Sequence, residues 1–198
     1  MARRTGLTRP EIQSSALAAG RKLIVKNGLK TFSMRQVASE IGYTVGTLYN
    51  VFKNQDDLLL QINARTLIDM RDFIQARLYK DLKGREILHS IATSYYVFAY
   101  ENYAVWSTLF EYSLSEENVL PQWYVEKIRE LAEVSEQAFS NMSLSKTDIK
   151  IASRTLWSSV HGICALALSG KLQLTASDSA EVLIDDLIDK YFKALVSK

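Results

Sequence analysis

The 198-residue sequence predicts an all-α protein, and three observations predict it. Apolar residues recur every three or four positions over long stretches, which is the helical period. Only two prolines, Pro10 and Pro121, and eight glycines punctuate the chain. No run alternates apolar and polar residues as a half-buried strand requires. With 47% hydrophobic residues the chain has material for a real core, in one compact domain or in a small head on a larger body.

The first helix is expected from Arg9 to Asn27. Thr8-Arg9-Pro10-Glu11 has the Thr-x-x-Glu spacing of a capping box. Ile12, Ala16, Leu23 and Ile24 share one face with Gly20 among them, and Asn27-Gly28 supplies a common helix stop. Ser33-Met34-Arg35-Gln36 repeats the capping logic for a second helix, whose apolar stripe of Val37, Ala38 and Ile41 is two turns long before Gly42 ends it. Thr44 caps a third, with Leu48 and Phe52 spaced i, i+4. Only Gly42, Tyr43 and Thr44 separate two short helices, which is helix-turn-helix spacing.

In such a pair the first helix braces the second, whose N-terminal residues enter the DNA major groove. Small residues belong where the two cross, and Ala38 and Gly42 meet that need. Gly46, inside the third helix, lets backbone approach a phosphate or base edge with no side chain intervening. A plain helical hairpin leaves Gly46 and the polar Thr44, Thr47, Tyr49 and Asn50 around it unexplained.

Charge supports the same division. The net charge is +2, but residues 1–53 hold nine lysines and arginines against two glutamates, while the rest carries 15 basic and 20 acidic residues. A basic head on an acidic body offers one end to a polyanion, although many basic faces merely solvate.

The run from Thr31-Phe32-Ser33-Met34-Arg35-Gln36-Val37-Ala38 through Gly42-Tyr43-Thr44-Val45-Gly46-Thr47-Leu48-Tyr49-Asn50-Val51-Phe52, continued by Asp57-Leu58-Leu59, resembles the DNA-binding signature of the tetracycline-repressor (TetR/AcrR) family. The resemblance implies an N-terminal three-helix DNA-binding domain, residues 1–53, and a C-terminal helical ligand-binding and dimerisation domain, residues 54–198. It places Thr44, Val45, Gly46 and Thr47 against base edges and nearby phosphates and sends the Tyr49 hydroxyl to a phosphate. Ser33 and Arg35 add contacts, Asn50 and Lys53 complete the set, and Arg3, Arg4 and Arg9 form an arm along a groove. Many family members carry a lysine after the third helix, and the matching residue here is Gln55, which brings no charge; Lys53 is the candidate to compensate.

After Asn54, which can cap with Asp57 three residues on, Leu58, Leu59, Ile62, Ile68, Phe73 and Ile74 predict one long helix reaching toward Tyr79. Further helices are expected at about 84–101, 103–114, 121–142, 145–170 and 177–196. Leu183, Ile184, Leu187, Ile188 and Phe192 make an apolar stripe on the last of these. In TetR-like chains the last two helices pack on a second copy, giving a homodimer whose symmetry suits a palindromic operator. An intramolecular role for the stripe is the other reading.

Aromatic residues concentrate in the body, and two readings stand for them: ordinary core, or the lining of a small-molecule site. The candidate ligand set is Tyr96, Tyr100, Tyr103, Trp106, Phe110, Trp123, Trp157 and His161, for an aromatic or lipophilic effector. Glu101 and Glu111 sit near these rings as candidates for a cationic group, or as solvated carboxylates. Leu156-Trp157-Ser158-Ser159-Val160-His161-Gly162 resembles a Trp-x-x-x-His-Gly element of one TetR subgroup. His161 is read either as a ligand contact or as a core histidine satisfied by a neighbour.

No nucleophile with its base, phosphate-cradling glycine loop or His-Glu-x-x-His appears, so an enzyme is not expected. The adjacent pairs Glu116-Glu117 and Asp185-Asp186 read as solvated charges. Two histidines and the single Cys164 make no metal set, and no cofactor is implied. Cys164 lies in an apolar run and reads as a small buried hydrophobe. Without a signal-like or membrane-spanning run, a cytoplasmic protein is expected. The implied function is a repressor released by a small molecule; the alternative is an architectural or cell-division DNA-binding protein of the same fold that ignores ligands.

Overall fold

The computed structural model describes residues 7–79, 81–111, 119–140, 142–174 and 178–197. Arg3, Arg4, the Glu116-Glu117 pair and the end of the helix expected at 103–114 lie outside these residues. Among the described residues the regular elements are all helical: α1 Arg9–Asn27, α2 Met34–Ile41, α3 Val45–Tyr49, α4 Gln55–Gln75, α5 Arg85–Glu101, α6 Tyr103–Glu111, α7 Gln122–Ala138, α8 Lys146–Leu168 and α9 Ala180–Val196, with 3-10 turns at Leu29–Thr31 and Leu172–Leu174. The two 3-10 turns have no counterpart in the sequence expectations. None of these helices is long and apolar enough to cross a membrane. The chain forms two compact units, one of residues 1–66 and 104–124, the other of residues 67–103 and 125–198.

The first unit is built on local caps. Glu11 accepts both the backbone N–H and the hydroxyl of Thr8, each at 2.7 Å, which closes the start of α1. Ser33 Oγ accepts the Gln36 N–H at 3.3 Å at the start of α2. Gly42 ends α2 in the left-handed conformation, φ +74°. A Cβ on Gly42 would meet nothing within 4 Å. Its role is therefore the turn, and the expectation that it also makes room where two helices cross does not hold. Gly20 is the residue that does so: a Cβ there would lie 2.6 Å from Ile62 Cδ1, so α1 and α4 pack closely enough that an alanine would force the Ile62 side chain to shift.

Ile12, Ala16, Ile24, Phe32, Val37, Ala38, Leu48, Phe52, Leu58 and Ile62 form the core of this unit, joined by Val105 from α6. Burying each large apolar side chain contributes about 1.5–3 kcal/mol. At the start of α4, Asn54 Oδ1 accepts the Asp57 N–H and Asp57 accepts the Lys53 N–H, both at 2.8 Å. Deeper in the unit, Thr108 of α6 donates to Asn63 Oδ1 of α4 at 2.8 Å, and both residues are fully buried. A buried amide left unpaired costs about 1–3 kcal/mol, so this bond fixes the register of the two helices.

In the second unit α5, α8 and α9 pack on one another in pairs. Leu88, Ala92, Phe98, Ala152, Leu156, Val160, Cys164, Ile184 and Ile188 make its centre. The stripe on α9 is largely consumed here: Ile184 and Ile188 are fully buried, and the Phe192 ring covers Gly84 so closely that a Cβ there would meet it at 3.1 Å. Arg85 at the start of α5 is clamped by Asp185 and Asp189, one turn apart on α9. Arg71 pairs with Glu130 at 2.5 Å and ties residues 67–75 of α4 to α7.

Three helices stop short of their expected ends. α3 ends at Tyr49, before Phe52, although the Phe52 N–H still bonds the Leu48 carbonyl at 2.8 Å. α4 ends at Gln75, four residues before Tyr79, where the Arg77 guanidinium folds back 3.3 Å over the Phe73 ring and donates to the Phe73 carbonyl. α7 ends at Ala138, where Phe139 turns inward to full burial and its N–H bonds the Glu136 carbonyl in a tighter turn.

Candidate nucleic-acid interface

α2 and α3 face each other across the turn at Gly42, Tyr43 and Thr44. Thr44 caps α3 by accepting the Thr47 N–H at 3.2 Å, and the two threonine hydroxyls lie 3.0 Å apart. Leu48 and Phe52 point into the core, which turns the opposite face of α3 to solvent. On that face Thr44, Gly46 and Asn50 are exposed, and Tyr49 is 55% exposed despite its large ring. Arg35 and Lys53 are exposed, whereas Ser33, Val45 and Thr47 are half-buried. Val45 rests partly against the core, and Ser33 is engaged as the cap of α2.

Gly46 is informative because nothing among the described residues demands it. It has no positive φ, and a Cβ would meet only Thr44 Oγ1, at an ordinary 3.7 Å. A glycine within a helix costs about 0.5–1 kcal/mol relative to alanine. Gly20 meets an internal packing demand and Gly42 a backbone one; at Gly46 the open side faces outward.

The charges around this face are not equally available. Lys22 of α1 pairs with Glu40 of α2 at 2.6 Å, and this partner holds the Glu40 carboxyl below its ordinary range. Arg21 donates to Thr66 at 3.2 Å. Gln55 stands half-buried as the first residue of α4, next to Asp56 and Asp57. Arg9 is exposed at the start of α1.

The eight aromatic and histidine candidates fall in both units. Trp106, Phe110 and Trp123 belong to the first, where Trp106 is buried and its ring lies 5.2 Å from Phe110. Tyr96, Tyr100, Tyr103, Trp157 and His161 belong to the second. There the His161 ring stacks on Trp157 at 5.4 Å, as their four-residue spacing on α8 allows, and its Nδ1 lies 2.9 Å from the Tyr95 hydroxyl. Burial pushes the His161 pKa down, which favours the neutral ring. Tyr96 is half-buried beside Tyr100, which is mostly exposed, and Tyr103 is exposed as well. Tyr95 is absent from the sequence candidates; it lies 66 residues from its partner, and no local pattern marks the pair.

Glu101 and Glu111 are exposed carboxylates. Cys164 is fully buried and its thiol is pushed up to about 12 by burial, so it packs as a small hydrophobe. No cluster of three or more potential metal ligands occurs among the described residues.

A short brace helix, a three-residue turn and a second helix with its polar face in solvent define a helix-turn-helix protein. Residues 16–62 match the family of bacterial regulatory proteins of the tetR type, and residues 88–191 match the tetracyclin repressor-like C-terminal domain. The chain belongs to the TetR family and is a DNA-binding transcriptional regulator of that family.

No curated protein matches the chain at a significant level. Among solved structures it is similar to a protein of unknown function from Rhodococcus sp. RHA1, with 16% identity, coverage of 98% of this chain and 99% of that one, and a TM-score of 0.78. It is also similar to the TetR-family transcriptional regulator PfmR from Thermus thermophilus, at 18% identity over 90% and 97% of the two chains, TM-score 0.61. A third similar structure is RolR in complex with resorcinol, at 12% identity over 94% and 88%, TM-score 0.66. At these identities the likeness is one of fold.

Proposed function

We propose that this regulator is a repressor that binds a palindromic operator as a homodimer in the cytoplasm and is released by a small-molecule effector. The observation that carries the DNA half is the outward-facing, internally unrequired Gly46 between Thr44 and Tyr49. In this reading Thr44, Gly46, Thr47 and Val45 meet base edges and the phosphates beside them. Ser33, Arg35, Tyr49, Asn50 and Lys53 hold the duplex mainly through its backbone. Gln55 supplies a hydrogen bond where a lysine would supply charge, and the exposed Lys53 restores that charge nearby. Arg9 carries the described end of a basic arm. The division of labour is residues 1–53 for DNA and 54–198 for ligand and assembly.

The dimer half rests on the faces of α8 and α9 that the second unit leaves uncovered. Ile151, Leu166 and Val182 are exposed, and a Cβ on Gly162 would meet nothing within 4 Å. Exposed apolar side chains beside small residues suit close packing of a second helix pair. The effector half is supported by the concentration of aromatic residues and by the resorcinol bound to a protein of the same fold, while the Tyr95 hydroxyl beside His161 Nδ1 favours the core reading of that histidine. An effector of that kind is aromatic or lipophilic.

Two substitutions test the assigned roles. Tyr49→Phe is expected to weaken binding to all DNA sequences about equally, because a phosphate contact carries no sequence information; a changed base preference refutes that role. Thr47→Ala is expected to change preference at a few operator positions, and an unaltered selected motif removes Thr47 from base readout. Titrating the protein–operator complex with resorcinol and other small phenols, read by fluorescence anisotropy, tests release directly.

A further inference from the structure

Tyr43 occupies the middle of the turn between α2 and α3, immediately before the cap of α3. Its half-buried ring packs against the core of the first unit. Its hydroxyl oxygen accepts the backbone N–H of Leu7 at 3.1 Å, so the phenol reaches from the turn to the entrance of α1. The 36-residue separation of these partners makes Tyr43 look like a mere spacer in the sequence.

We propose that Tyr43 is a further DNA-contacting residue, which donates its hydroxyl hydrogen to a backbone phosphate at the edge of the groove that α3 enters. This rests on the reading of α2 and α3 as the DNA-binding pair. A phenol has one hydrogen to donate and lone pairs to accept with. The contact with Leu7 uses the oxygen as acceptor and leaves the hydrogen, for which no acceptor occurs among the described residues. Accepting an N–H bond also polarises the O–H and makes it a stronger donor.

Placement adds to the chemistry. The recognition helix presents its N-terminal end to the groove, so the residue just before that cap lies beside the phosphates that border it. The ring is held on one side by the core and at its tip by Leu7, so little side-chain entropy is lost when the hydroxyl engages a phosphate. Exposed Arg9 stands two residues from Leu7 in sequence and supplies a positive charge at this end of α1, where the Glu11 carboxylate caps the helix.

The test uses the full-length protein and a genomic fragment that it binds, with Tyr43→Phe, Leu7→Pro and wild type compared over a range of salt. Tyr43→Phe is expected to bind about tenfold more weakly to every sequence, because it loses a hydrogen bond to a charged group. The slope of log affinity against log salt is expected to stay at the wild-type value, since no cation has been removed. Leu7→Pro deletes the N–H but keeps the phenol, and is expected to lose much less.

Wild-type affinity in Tyr43→Phe overturns the proposal. Equal losses in both variants, with the first turn of α1 losing its hydrogen-exchange protection, also overturn it and leave Tyr43 as a structural pin. A wild-type protein that binds no DNA overturns the parent reading and this one with it, whereas a binding wild type beside an unaffected Tyr43→Phe removes only this proposal.

Discussion

Gly46→Ala is expected to raise thermal stability slightly and to weaken operator binding about a hundredfold. The stability gain follows from replacing a helical glycine at a site where a methyl group meets only Thr44 Oγ1 at 3.7 Å; the gain is about 0.5–1 kcal/mol. The binding loss follows from placing that methyl between backbone and DNA. A poor fit of about 1–3 kcal/mol per half-site, taken twice in a dimer, gives that order. Opposite signs for stability and affinity are the signature of a glycine kept for a partner. Melting temperature and anisotropy titration on the same preparation check it; equal affinity for the two proteins places the DNA elsewhere.

Leu166→Glu combined with Ile151→Glu is expected to yield a folded monomer whose operator affinity falls by about 10²–10⁴, because the second half-site loses its tethered partner. Both side chains are exposed in the unit, at 45% and 59%, so charging them leaves the core intact. Ile188→Ala is the contrasting change: Ile188 is fully buried, and its truncation costs about 2–5 kcal/mol of stability whatever the assembly state. Sedimentation velocity separates the cases, and a double variant that still sediments as a dimer discards α8 and α9 as the interface. Phe192 is a poor probe of assembly, because its ring already covers Gly84.

Where the sequence reads well, the signals are short-range. Thr8, Ser33 and Thr44 each stand where a helix starts, and Gly42 where one stops, so the starts of α1, α2 and α3 and the turn between the last two are legible residue by residue. Periodicity in the body identifies which faces are apolar without saying what covers them. Ile184 and Ile188 have two readings in the sequence, a second copy or the chain's own core, and the structure puts them in the core against α5 and α8.

Contacts made far along the chain stay hidden. Asn63 with Thr108, Tyr95 with His161 and Leu7 with Tyr43 each join residues at least 36 apart, and neither partner carries a local mark of the other. Helix ends that no glycine or proline marks, as at Gln75 of α4, escape for the same kind of reason. There the Arg77 N–H bonds the Ile74 carbonyl in a tighter turn and the Arg77 guanidinium lies over the Phe73 ring, with no glycine or proline at the stop. The aromatic set is legible as a concentration of rings, but its division into Trp106, Phe110 and Trp123 in one unit and five residues in the other comes only from the fold.

The proposed role of the face around Gly46 is to read a symmetric DNA site. Selection of genomic fragments by the purified full-length protein at stated salt, followed by footprinting of those retained, tests it most directly. The expected result is a short palindrome protected as two half-sites about 34–36 Å apart on one face of the duplex. Salt-sensitive retention of all fragments alike, with no common sequence, contradicts it and favours an architectural DNA-binding protein of the same fold.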